Sequence, residues 1–259
     1  MEQIPVREVF EDFDIEFYER EAARRGSVWS CSSKEEQFFN EATRFHSVRD
    51  LIHRYLPHGR ILDAACGDGY LLHMLGRAGA FELFGVDLSM RRLNRIPPTT
   101  REHNTGLVQG NVCCLPVKDQ TFDGCVVSEI LEHLGDTSAL AEAYRALKPD
   151  GYLFATVPYK EQIVHYTCPH CRTRFNPSGH VRVYDEQGLR ETLKAHGFIV
   201  EESGVLCSTH LKRLRGITER YLRIKPAFGS YYTGLDRWFS RRWPDACTYL
   251  AMVGRKPAG

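Results

Sequence analysis

Two glycines and a set of acids carry the first chemical signal. Gly67 and Gly69 lie in the run Asp63-Ala64-Ala65-Cys66-Gly67-Asp68-Gly69, where small residues let backbone amides and a helix N-terminus approach a polar ligand. Asp87 follows 24 residues after Asp63 and ends the apolar run Leu83-Phe84-Gly85-Val86. A carboxylate so placed can accept from both hydroxyls of a ribose, so the pair implies an adenosine-like ligand. A dinucleotide site asks for a third glycine, and the chain instead reads Gly67-Asp68-Gly69-Tyr70-Leu71-Leu72. Acids at Asp63 and Asp68 would also repel a pyrophosphate, whereas they suit an amine or a positive centre. A tight strand-to-helix junction with no ligand is the plain alternative.

A second signal is Cys168-Pro169-His170-Cys171. Two thiolates at this spacing can face one tetrahedral metal, usually zinc, but supply only half a ligand set. His180 is the first choice to complete it, ahead of His165, Cys207, Cys31 and Cys247. A structural zinc is expected rather than a catalytic one, because the segment has little apolar content to hold it. An inert surface turn and a redox pair are the alternatives. If a hydroxyl is to react, histidine is the usual base. The candidates are His133, in Glu129-Ile130-Leu131-Glu132-His133, and His165, each with an ordinary hydrogen-bonded role as its alternative. Cys66, Cys113 and Cys114 read as small buried residues rather than nucleophiles.

These residues need elements to position them. Apolar residues from Phe38 to Tyr55 recur at helical spacing and predict a helix over about 34–55, ended by Pro57 and Gly59. A strand over 60–65, the glycine turn, and a helix over 70–77 follow, then a strand over 83–86 and a helix start at Leu88-Ser89-Met90. Further strands are predicted over 106–109, 125–128, 152–157, 198–202 and 248–253, with helices over 138–147 and 185–196. Alternating strands and helices predict an α/β protein with a parallel sheet covered on both faces. Residues 158–183 lack apolar periodicity and read as an insertion, and 205–246 form a long basic, aromatic-rich connection.

The chain of 259 residues is 42% hydrophobic and 26% charged, which excludes disorder, collagen and coiled coil. No apolar run approaches the roughly 18 residues of a membrane span, and a cytoplasmic protein with its nine Cys reduced is expected. Charge is uneven: residues 208–259 hold 11 Lys and Arg against 3 Asp and Glu, a net +8, while the preceding 207 carry −7. Basic residues interleaved with aromatics would suit RNA or an anionic membrane surface, or a cap over an acceptor, and the cap is the favoured expectation.

The run Ile61-Leu62-Asp63-Ala64-Ala65-Cys66-Gly67-Asp68-Gly69 resembles motif I of class I S-adenosylmethionine-dependent methyltransferases, and the likeness continues along the chain. Gly85-Val86-Asp87-Leu88-Ser89 resembles their ribose-binding strand end. Gln109-Gly110-Asn111-Val112, with Leu115-Pro116 and Phe122-Asp123, resembles their adenine-side segment, and Leu147-Lys148-Pro149-Asp150-Gly151-Tyr152 the entry to their fifth strand. The resemblance is nearest to the small-molecule branch called type 11. It implies a Rossmann-like, doubly wound, mostly parallel seven-stranded sheet over 59–259, preceded by a helical extension over 1–58. Asp63 and the backbone of Ala65, Cys66, Gly67 and Gly69 would then hold the methionine part, and Asp87 the ribose. Leu88 would pack on the adenine, Asn111 and the amide of Val112 would read its edge, and Ser128 would make contact from the fourth strand. Ala65 stands where the family has glycine and Asn111 where it has aspartate. A turn with φ below zero would tolerate the Ala65 methyl, and the Asn111 side-chain oxygen can still accept from the adenine amine.

The expected activity is methyl transfer from S-adenosylmethionine to a small-molecule acceptor, at oxygen, leaving S-adenosylhomocysteine. The rivals are an RNA or protein methyltransferase using the basic insertion, a non-catalytic adenosylmethionine-binding module with a zinc knob, and a nicotinamide dehydrogenase.

Overall fold

In the computed structural model, residues 36–176, 178–217 and 230–258 are described, with Glu19 and Ala23. Helix α1 (Glu36–Tyr55) lays Ala42, Val48 and Ile52, each almost fully buried, against the sheet. Strand β1 (Gly59–Ala64) leads through the glycine turn into α2 (Tyr70–Gly76) and β2 (Phe81–Asp87). Short helices α3 (Met90–Leu93) and α4 (Pro98–Arg101) return the chain to β3 (Thr105–Gln109). The second half continues with β4 (Phe122–Ser128), α5 (Ser138–Ala146) and β5 (Leu147–Pro158). Next come the two-residue strands β6 (Tyr166–Thr167) and β7 (Arg174–Phe175), then α6 (Glu186–Ala195) and β8 (Ile199–Ser208). Helices α7 (Thr209–Ile217) and α8 (Ser230–Arg242) precede β9 (Cys247–Arg255).

Seven strands form one sheet in the order β3-β2-β1-β4-β5-β9-β8, parallel except for β9, which runs antiparallel to both its neighbours. Alternation along each strand divides the core into two faces. Leu62, Cys125, Val127, Leu153 and Ala155 pack with Leu140 of α5 and Leu189 and Leu193 of α6. Ile61, Val126 and Phe154 pack on the other side with Ile52 of α1 and Leu71 and Leu75 of α2. The predicted doubly wound α/β sheet is therefore present.

Strand order reverses between β1 and β4, and in such sheets ligands sit beyond the carboxyl ends of the strands at that point. The strand predicted over 198–202 was too short. Pairing of β8 with β9 continues through Leu206↔Tyr249 and Ser208↔Cys247, so the strand predicted to stop at Glu202 extends into the region assigned to the basic connection. Leu211 of α7 is buried against Leu235 and Phe239 of α8, a separate small cluster. Residues 218–229 of that connection, and residues 1–18, 20–22 and 24–35 of the N-terminal extension, lie outside the described residues.

Candidate functional site

At the end of β1 the amides of Ala65 and Cys66 both donate to the Val86 carbonyl, at 2.8 and 2.9 Å, tying the turn to β2. Ala65 adopts φ 71° to do so. The expectation of a negative φ was therefore wrong: the methyl is held in the left-handed region, at a cost of about 1–2 kcal/mol. Gly67 (φ 55°) and Gly69 (φ 72°) are left-handed too, and a Cβ on Gly69 would come within 2.8 Å of Ile96 Cδ1. Glycine at 69 is thus required by both conformation and space.

The Gly67 amide donates to Asp87 Oδ2 at 2.8 Å and the Ser89 amide to Oδ1 at 2.9 Å. Each carboxylate oxygen keeps a second lone pair for a ligand hydroxyl. Asp63 is 4% exposed. Burial and the neighbouring Asp87 charge push its carboxyl up to about 7, against the pull of Arg44. A ligand ammonium would draw that proton off. Asp68 Oδ1 lies 4.0 Å from Arg95 Nη1, so this acid is already answered by a cation. Leu88 is half-buried, and its carbonyl accepts from Gln109 Nε2 at 3.0 Å. Asn111 Oδ1 accepts from the Cys113 amide at 2.8 Å, a side-chain turn that leaves one lone pair of that oxygen, while the Val112 side chain enters the core. The Ser128 hydroxyl, expected to face the cofactor, is engaged by Arg44 and lies 2.8 Å from Thr156 Oγ1.

Beside the carboxyl ends of β4 and β5 is a cavity of about 290 Å³, lined by Glu129, Glu161, His180, Tyr159, Pro158, Thr248 and Tyr249. Glu129 follows β4 directly and is left-handed at φ 54°, backbone strain of the kind that gathers at functional sites. Its Oε1 is buried without a partner, and burial lifts its carboxyl to about 7 despite Arg44. Arg44, reaching in from α1, is itself buried and lies 5.4 Å from the Tyr249 ring centroid. Glu132 is 1% exposed, neither of its oxygens has a hydrogen-bond partner, and burial holds its carboxyl well above the usual range. His180 Nδ1 is hydrogen-bonded to Glu161 Oε2. The ligand atoms of Glu132, His133 and His180 all lie within 4.8 Å of one another.

The inserted segment is arranged differently from its predicted form. Cys168 and Cys171 occupy the turn between β6 and β7, where the Cys168 amide donates to the Thr173 carbonyl at 2.9 Å. Hydrogen bonding by Thr173 lowers the exposed Cys171 thiol to about 7. His180 is not with them. Among the described residues, no set of three potential ligands within 4.8 Å of one another includes either cysteine, which corrects the assignment of His180 as their partner. The candidate base His165 is exposed and does not line the cavity. The other, His133, has Nδ1 3.3 Å from the Gly179 carbonyl and packs edge-on to His180, with ring centroids 4.6 Å apart. Sequence reasoning missed Arg44, Glu129, Glu161 and Tyr249. Only Glu129 carried a signal, as the first residue beyond a predicted strand.

Comparison with known proteins agrees with this geometry. The methyltransferase domain family profile matches residues 39–203, more than half of the chain. A mitochondrial ubiquinone biosynthesis O-methyltransferase of Bos taurus is 34% identical over 116 residues, covering 40% of this chain and 30% of that protein. A probable S-adenosylmethionine-dependent methyltransferase of Mycolicibacterium smegmatis is 28% identical over 159 residues, covering 60% and 59%. The chain thus matches less than two thirds of the length of these relatives. Among solved structures, the Burkholderia thailandensis 1,6-didemethyltoxoflavin-N1-methyltransferase, with bound 1,6-didemethyltoxoflavin and S-adenosylhomocysteine, superposes with a TM-score of 0.59. It is 18% identical, with 94% of this chain and 87% of that one covered, and so speaks for the fold alone. With its seven-stranded sheet, its left-handed glycine turn and its acid at the end of β2, the chain belongs to the methyltransferase domain family.

Proposed function

We propose that this protein transfers a methyl group from S-adenosylmethionine to a hydroxyl of a small-molecule acceptor seated beside Glu129. The residues fit the cofactor: the Gly69 position has no room for a Cβ, Asp87 is fixed by two amides with lone pairs to spare, and Asp63 is a buried acid suited to an ammonium. When bound, S-adenosylmethionine supplies a methyl group made electrophilic by its sulfonium. The chain's own task is to align the acceptor oxygen and remove its proton.

Glu129 is the observation that carries this reading. It lines the cavity, its backbone is held in a strained conformation, and its carboxyl titrates near neutrality, as a general base should. Arg44, bonded to Ser128, stands by Glu129 and so retains a cation beside the ionised base. A cavity of about 290 Å³ suits a small molecule, and transfer to oxygen is named in a relative that matches part of this chain.

Calorimetric titration with S-adenosylmethionine, S-adenosylhomocysteine and NAD is the first test, followed by a screen of phenols, alcohols and amines for S-adenosylhomocysteine release. Micromolar binding of the two sulfur nucleosides and turnover with a hydroxyl acceptor are expected. Absence of sulfur-nucleoside binding would overturn the reading, and turnover with amines alone would overturn its assignment to oxygen.

A further inference from the structure

At one edge of the cavity three acidic side chains come together. Glu129, Glu132 and Glu161 act on one another, and Arg44 is the cation that bears on both Glu129 and Glu132. Glu132 is the sharpest case, being 1% exposed with neither oxygen hydrogen-bonded. A buried carboxylate in that position needs a proton or a cation. The groups beside it favour the cation.

Glu132 and His133 lie in the short helical turn Leu131–His133 that follows β4. The Glu132 carbonyl accepts from the amides of Val181 at 2.7 Å and Arg182 at 3.2 Å, which fastens His180 alongside. Both imidazoles are oriented through Nδ1, His133 against the Gly179 carbonyl at 3.3 Å and His180 against the Glu161 carboxylate. In His180 an Nδ1–H donating to the Glu161 carboxylate leaves the lone pair on Nε2, and a carboxylate behind a ligating histidine is the usual way such a ring is held and made more basic.

We propose that Glu132, His133 and His180 bind a divalent transition-metal ion at the edge of the cavity, and that the ion takes the acceptor hydroxyl as a further ligand. One ring nitrogen of each histidine and one Glu132 oxygen lie within 4.8 Å of one another. An ion with ligand distances of about 2.1 Å spaces tetrahedral donors roughly 3.4 Å apart, so small side-chain rotations close the site. Two imidazoles and one carboxylate suit zinc, cobalt or manganese better than magnesium or calcium, and three protein ligands leave a position open. On the ion the acceptor's O–H bond breaks, the oxygen keeps the electron pair, and the proton passes to the Glu129 carboxylate. The role in catalysis rests on the methyltransferase reading above, whereas metal binding does not.

The test uses the full chain, stripped with a chelator and reloaded with Co²⁺ or Zn²⁺. S-adenosylhomocysteine calorimetry on the same samples reports the fold and the cofactor site. One equivalent of metal and a Co²⁺ visible spectrum are expected. Affinity should fall by about tenfold or more in His180→Gln and in Glu132→Gln, and stay unchanged in Cys168→Ser/Cys171→Ser. Protein that binds S-adenosylhomocysteine but retains no stoichiometric metal would overturn the proposal. Metal that survives both single variants and disappears with the cysteine pair would also overturn it. Metal bound at this site without any sulfur-nucleoside binding would uphold the site and overturn the cofactor reading instead.

Discussion

The two sides of the crevice settle their charges differently. On the cofactor side, Asp87 is held by the amides of Gly67 and Ser89, donors fixed by the backbone and present before any ligand arrives. On the side proposed for the acceptor, neither Glu132 oxygen is held by another residue's donor and Glu129 has one oxygen without a partner. The first arrangement fixes a carboxylate for recognition. The second leaves buried carboxyls raised above their usual range by desolvation, Glu129 to about 7, where a proton can move.

Four substitutions would break or sharpen this contrast. Glu129→Gln should have the largest effect, lowering kcat by about 10²–10⁴-fold with cofactor affinity unchanged. With the carboxyl at about 7, wild-type kcat should rise with pH through neutrality as the base ionises, and the variant should lose that limb. Equal pH profiles would remove Glu129 as the base. Asp87→Ala should weaken S-adenosylmethionine binding by about a hundredfold, since charge-assisted hydrogen bonds are lost; unchanged calorimetric affinity would refute the ribose assignment.

Asp63→Asn reads the cofactor side through stability. The Asp63 carboxyl is raised from 3.8 to about 7 in the folded protein, so between those values the folded state holds a proton that the unfolded chain has lost. Stability should therefore fall as pH rises across that window and level off above it. Urea titrations should show a shallower fall in the variant than in the wild type; parallel curves would place the Asp63 pKa near its unfolded value. Ala65→Gly should have the smallest effect, stabilising by about 1 kcal/mol through relief of the left-handed methyl. A lower melting temperature would mean that the methyl makes packing contacts worth more than the strain it causes.

How legible each side was follows from how far apart its residues lie in the chain. Asp63, Gly67, Gly69 and Asp87 belong to one strand-turn-helix-strand unit, and each has a type its position demands, so the cofactor side was readable in order. The sign of φ at Ala65 was not, because a tertiary hydrogen bond to Val86 sets it. The side proposed for the acceptor gathers Arg44 from α1, Glu129 from beyond β4, Glu161 and His180 from the segment read as an insertion and Tyr249 from β9. Arg44 reads in sequence as one more polar position on an amphipathic helix. His180 was assigned to the nearby cysteines, yet the bridge between Tyr159 and Tyr184 draws the two ends of the insertion together and leaves the Cys168–Cys171 turn as a separate hairpin.

The place of β9 bears on how the protein is made. It lies between β5 and β8 and pairs with both, so during synthesis β5 has an open edge and β8 has no neighbour in the sheet until residue 255 has left the ribosome. Five parallel strands and the glycine turn can assemble early, but the part of the cavity lining at Thr248 and Tyr249 arrives with that strand. A nascent chain halted before it would expose an unpaired edge of the sheet, the surface on which chains associate wrongly and chaperones act.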